Sequence, residues 1–166
     1  MYKRLLVPTD GSPVSENAVD AAIDFARVCG SEILALSIAM PEPAIQSAEA
    51  AMVIDAGLEV DVLLENAQKL VAAICARAQD AGVTCTQRVE LSLDPGKVIV
   101  DTACEQACDL IFMGSHGRRG LSRLLAGSVT QAVLAYAPMP VMVLRPVSKD
   151  ERAQALARHC PAERHA

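Results

Sequence analysis

The sequence predicts one α/β domain built on a parallel β-sheet with helices on both faces. Three observations carry that expectation. Short apolar runs rich in Val, Ile and Leu alternate with longer stretches of helical period, the pattern of strand–helix–strand units. The chain is 52% hydrophobic but only 2% aromatic, a composition suited to helices packed on a buried, β-branched sheet. Its 166 residues suffice for one domain that buries a core without staples.

The elements follow in order. Residues 3–7, KRLLV, read as a strand that ends at Pro8. Ser12 followed by Pro13 predicts a helix start, with Ser as N-cap and Pro in the first turn; the apolar positions over residues 14–29 keep a helical period and stop at Gly30. Residues 32–40 form a nearly continuous apolar run closed by PEP, so they read as a strand buried on both faces. Residues 44–81 are dense in Ala and Leu at helical spacing and end at Gly82, with the part around Gly57 either loop or broken helix. Residues 83–91 alternate as a third strand, and DPG at 94–96 reads as a turn leading into a helix over residues 97–107. DLIFM, residues 109–113, is the fourth strand; a helix over residues 128–137 and a fifth strand, PVMVLR at 140–145, complete five strands joined by right-handed crossovers. The domain spans residues 1–146, and residues 147–166 form a polar tail, disordered or a short helix.

Bulk properties exclude several classes. A formal net charge of -5 repels a phosphate backbone, so no nucleic-acid partner is expected. The first residues hold too short an apolar run for a signal peptide, and no run reaches membrane-spanning length, so no membrane association is expected and a cytoplasmic location is. The six cysteines, at positions 29, 75, 85, 104, 108 and 160, are accordingly expected to be reduced. Cys104 and Cys108 share a helix face and read as small buried hydrophobes rather than a metal or redox pair.

In a doubly wound sheet, ligands bind beyond the carboxyl ends of the strands where the strand order reverses. That rule singles out PTDGS after the first strand and the stretch MGSHGRRGLSRLLAGSVTQAV at 113–133 after the fourth. The latter has the spacing G-x2-G-x9-G-S, made by Gly114, Gly117, Gly127 and Ser128. Glycines admit close approach of backbone N–H groups to a ligand, and the following helix N-terminus favours an anion, so a di- or triphosphate suits the segment. Ser128 and Thr130 supply hydroxyls; Ser128 with Gln131 also forms a capping box that would start the helix without any ligand. Asp10 would hold ribose hydroxyls or phosphate-bound magnesium, or simply build the turn before Gly11. Arg118, Arg119 and Arg123 read as a solvated face more readily than as ligand groups. His116 lacks a positioned partner for general-base work, so no catalytic residue is assigned. No G-x4-G-K-[ST] occurs, and no G-x-G-x-x-G follows the first strand, which excludes the familiar P-loop and dinucleotide enzymes.

VPTDGS, DLIFMGSHG, the glycine spacing, GSVT and PVMVLR together resemble the universal stress protein family, in its ATP-binding subgroup. The resemblance implies a five-stranded sheet in the order 3-2-1-4-5, a Rossmann-like fold, and a homodimer formed through the last strand, Val141 to Arg145. It implies that Pro8, Thr9 and Asp10 line the adenosine end and that Ile38 meets adenine through its backbone. Gly114, Gly117, Gly127, Ser128, Val129 and Thr130 would hold ribose and phosphates, with Met113 and His116 beside them. ATP, or ADP or AMP, is the implied cofactor, with or without magnesium, and no metal is held by protein side chains alone. Where relatives often carry Gly two residues before the proline of the DPG segment, this chain has Leu93, with Gly96 instead. The function implied is regulatory or stress-protective nucleotide binding with at most slow ATP hydrolysis. The alternative is an interaction or dimerisation module in which the nucleotide is absent or only structural.

Overall fold

The structure is a computed structural model that describes residues 2–41, 56–115 and 127–145. In chain order these form β1 (Arg4–Thr9), α1 (Pro13–Cys29), β2 (Glu32–Ala39), α2 (Ala56–Asp80), β3 (Cys85–Leu91), α3 (Pro95–Glu105), β4 (Leu110–Gly114), α4 (Ser128–Tyr136) and β5 (Val141–Leu144). The strands make one parallel sheet in the order β3-β2-β1-β4-β5. The expected fold class and strand order therefore stand. The tail after residue 146 and the loop carrying His116, Gly117 and the three arginines lie outside the described residues.

The period-2 alternation of the strands sorts side chains between two cores. Leu5, Val7, Ile33, Ala35, Leu110 and Phe112 face one side, where Val19, Ala22 and Ile23 of α1 and Val71, Ile74 and Ala78 of α2 cover them. Leu6, Leu34, Leu36, Ile111 and Met113 face the other, covered by Ile99 and Ala103 of α3 and Val133 of α4. Leu5, Leu6, Ile33, Leu36, Leu110 and Ile111 are all but fully buried, and burial of each such side chain contributes roughly 1.5–3 kcal/mol. Each face thus carries two helices.

Local signals explain most boundaries. Ser12 caps α1 by accepting from Ser15 N at 3.3 Å, Pro13 opens the helix, and Gly30 closes it in the left-handed region at φ 68. Asp94-Pro95 repeats that device: Asp94 caps α3 by accepting from Lys97 N at 3.1 Å, so the DPG segment is the helix start itself rather than a turn before it. Gly57 lies inside the first turn of α2, and the part of the expected helix at residues 44–55 is outside the described residues.

Further expectations are corrected. β1 does not end at Pro8 but continues to Thr9, because it stays paired with β2 through Pro8↔Leu36 and Thr9↔Ser37. The six cysteines were expected to be reduced, yet Cys75 of α2 and Cys85 of β3 form a disulfide, their Cα atoms 5.2 Å apart. The cause is the tight reversal at Gly82 (φ 75), where Val83 N donates to Ala78 O at 2.8 Å and folds β3 back along the end of α2. Cys29, Cys104 and Cys108 are free thiols; Cys104 and Cys108 do not share a helix face as expected, because α3 ends at Glu105, leaving Cys104 exposed and Cys108 buried beyond the helix.

Candidate functional site

The strand order reverses between β1 and β4, where such a sheet opens a crevice at its carboxyl edge. Pro8 sets where the opening begins. In a parallel strand a residue's N–H and C=O point to the same neighbour, and successive residues alternate sides. Asp109 N donates to Arg4 O, so Arg4, Leu6 and Pro8 face β4. Proline has no N–H to give. The β1–β4 register accordingly runs through Leu5↔Leu110 and Leu6↔Ile111 and stops short of Pro8, while β1 remains fixed to β2.

One wall of the crevice is the β1–α1 turn. Asp10 Oδ1 accepts from Ser12 N at 3.0 Å, Thr9 Oγ1 accepts from Gly11 N at 3.1 Å, and Gly11 takes φ 73, which favours glycine. Thr9 is buried, with its Oγ1 3.2 Å from Ser15 Oγ, and Ser15 donates to Ser12 O at 2.9 Å. Asp10 is half-buried at the rim. Its turn role is thus real for one oxygen. Ser15, three residues past the cap, was missed by the sequence reading; the Ser12-x-x-Ser15 spacing was the available signal.

The facing wall is the end of β4. A Cβ on Gly114 would lie 3.0 Å from Val14 Cγ1 and 3.1 Å from Val14 O. Glycine is therefore what lets β4 meet the first turn of α1. The loop that follows is closed at its neck: Gly127 N donates to Ser115 O at 2.8 Å, and Ser115 N donates to Leu144 O at 2.7 Å. Thr130 Oγ1 sits 3.2 Å from both Gly114 O and Ser115 O and donates to them from a buried position. Its hydroxyl ties the loop ends together.

Ser128 does not cap α4. Gly127 is the N-cap, its carbonyl accepting from Gln131 N at 2.9 Å, and among the described residues no side chain caps the helix. The capping-box expectation is corrected because Ser128 already lies in the first helical turn, exposed, one position too late to cap. Both α1 and α3 fill their N-termini with their own Ser12 and Asp94 side chains; α4 does not. The first-turn N–H groups of a helix have no intrahelical acceptor and carry its positive end.

The remaining expected positions fall as follows. Pro8 is buried in β1. Ile38 is half-buried near the end of β2, paired with Glu90, and packs on the core under α3 and α4, as does Val129. Met113 is buried in that core, so it offers the crevice its backbone alone. Gly114, Gly127, Ser128 and Thr130 gather at the loop neck, while His116 and Gly117 lie outside the described residues. Among the described residues no three His, Cys, Asp or Glu side chains gather as a metal site, and no helix is long and apolar enough to cross a membrane. A separate hollow of about 310 Å³ between α3 and α4, lined by Asp94, Lys97, Asp101 and Tyr136 among others, shares no residue with the crevice.

A family model described as the universal stress protein family matches residues 1–145. Universal stress protein MJ0531 of Methanocaldococcus jannaschii is 32% identical over 151 residues, covering 90% of this chain and 86% of the relative. The solved structure of protein MJ0577 from the same organism matches with a TM-score of 0.75 at 30% identity, over 89% of this chain and 99% of that one. A universal stress protein solved in complex with cAMP matches with a TM-score of 0.64 at 26% identity, over 88% of this chain and 99% of its own.

Proposed function

Since the chain belongs to the universal stress protein family, we propose that the crevice between β1 and β4 holds an adenine nucleotide, ATP first, and that the protein is a regulatory or stress-protective nucleotide-binding protein. The observation that carries this reading is the start of α4, which has no side-chain cap among the described residues and lies beside the closed loop neck. Helix N-termini of this kind favour phosphate through N–H donors and the macrodipole. The relative bound to cAMP supports an adenine ligand.

The donor set fits a polyphosphate, since backbone N–H groups and the Ser128 hydroxyl, not carboxylates, start α4. In this reading Gly114, Gly117, Gly127, Ser128 and Val129 hold ribose and phosphates, with Met113 and His116 flanking. Thr130 acts from below by fixing the neck. Pro8, Thr9 and Asp10 border the adenosine, and Ile38 meets the base through its backbone. Asp10 is the carboxylate we assign to sugar hydroxyls or to phosphate-bound magnesium. All these roles are binding roles; rapid phosphoryl transfer also needs a positioned nucleophile and a stabiliser of developing charge, so we assign at most slow hydrolysis. The protein works as a homodimer joined at β5.

Calorimetry on nucleotide-stripped full-length chain tests the reading. Saturable ATP binding tighter than about 1 mM, or roughly -4 kcal/mol, is expected. Absence of binding up to millimolar ATP, ADP and AMP would overturn it.

A further inference from the structure

We propose that Cys75 and Cys85 form an oxidation-responsive clip between α2 and the sheet-edge strand β3, closed by hydrogen peroxide and reopened by a small-molecule thiol. The placement is built in without the bond itself. Cys75 is buried among Val71, Ile74, Ala78 and Val83, and Cys85 packs half-buried against the same cluster at the start of β3, paired with Ile33. The Gly82 reversal and its hydrogen bonds hold the two Cα atoms 5.2 Å apart, within the range a disulfide spans. A folded dithiol therefore closes without rearranging the backbone.

Cys85 is the thiol that solvent reaches first, since Cys75 is only 5% exposed. Its thiolate attacks one peroxide oxygen, giving a sulfenic acid and releasing one water after proton uptake. The Cys75 sulfur then attacks the Cys85 sulfur and expels the second water. Two thiols and one peroxide become one disulfide and two waters, the thiols oxidised and the peroxide reduced. A thiol reductant reverses this by exchange through a mixed disulfide.

Among the described residues the other cysteines are built differently. Burial pushes the Cys108 thiol up to about 11, aided by Asp109 and Glu32 against Arg4, which keeps it protonated and inert. Cys104 is exposed, and neither it nor Cys29 is bonded to another cysteine.

What the clip secures is β3, an edge of the sheet. An edge strand that peels away offers unpaired backbone to other chains. Closing the loop between Cys75 and Cys85 restricts the unfolded chain and ties that edge to α2.

The test is peptide mapping of the folded full-length chain after dithiothreitol, then hydrogen peroxide, with unfolding followed in parallel. Peroxide is expected to remove 2 Da through a cross-linked peptide joining Cys75 and Cys85, and to raise the unfolding midpoint by about 5 °C. Dithiothreitol should reverse both. Because Cys75 is buried in the core and its replacement disturbs packing there, the informative variants are Cys85→Ala and Cys85→Ser, which should fold and lose both the cross-link and the redox-dependent midpoint. Free, alkylatable Cys75 and Cys85 after peroxide, pairing with Cys104 instead, or an unchanged midpoint shift in the Cys85 variants would each overturn the clip.

Discussion

Thr130 shows how a residue singled out by its spacing acquires its role from the fold. Its spacing after Gly127 suggests a phosphate donor, but the buried hydroxyl donates to Gly114 O and Ser115 O, each 3.2 Å away. Those acceptors are fifteen and sixteen positions earlier in the chain, so no local pattern announces them. Replacing Thr130 by Val keeps the shape and deletes the donor to Gly114 O, while Ser115 O keeps its bond from Gly127 N, a loss of about 1–2 kcal/mol. Denaturant unfolding should register that loss, and ATP affinity should fall about fivefold (about 1 kcal/mol) as the neck loosens. Thr130→Ser should restore both. A variant that loses affinity with unchanged stability would mean the hydroxyl serves the ligand directly. Asp10 is the converse case: the turn role was legible from Asp-Gly-Ser, and Asp10 Oδ1 accepting from Ser12 N realises it.

At the scale of elements, boundaries were legible where the cause is local and not where it is tertiary. Ser12-Pro13 gave the start of α1 to the residue, because cap and proline act within one turn. The end of β1 was misplaced because Pro8 breaks the ladder on the β4 side alone, which depends on which strand lies there. The position of Gly96 has the same kind of cause. A Cβ there would come within 2.8 Å of the Ala132 Cβ, so glycine is what lets α3 press against α4. Gly96→Ala gains helix propensity, at most about 1 kcal/mol, against an overpacking penalty of roughly 1–3 kcal/mol. Because Ala132 Cβ is no flexible side-chain end that could swing aside, overpacking should win, with a net loss near 1 kcal/mol in denaturant unfolding. The double variant Gly96→Ala with Ala132→Gly should recover more than half of that loss. Independent, additive effects of the two changes would show that the helices do not meet there.

At the scale of the molecule, five strands alternating with helices were readable from period and composition, while the strand order came from the family resemblance and the disulfide from neither. What the completed sheet adds is a contrast between its two edges. β3 carries Arg88, held by Glu90 at 2.6 Å and Glu105 at 3.1 Å, and such charges discourage pairing with another chain. β5 is VMVL, uncharged, with Met142 37% exposed. An apolar open edge is a template for a second copy, so the proposed homodimer belongs at β5. Its geometry yields a specific test. Pro140 O accepts from Ile111 N and Leu144 O from Ser115 N, so residues 140, 142 and 144 face β4, and alternation turns the backbone of Val141 and Val143 outward. Val143→Pro therefore removes an N–H from the open edge and none from the β4 ladder. In sedimentation velocity the unaltered chain should run at twice 17.5 kDa and the proline variant at 17.5 kDa. Val143→Ala, which keeps the N–H, should remain dimeric. A proline variant that still dimerises would move the interface away from the strand edge and onto another surface of the protein.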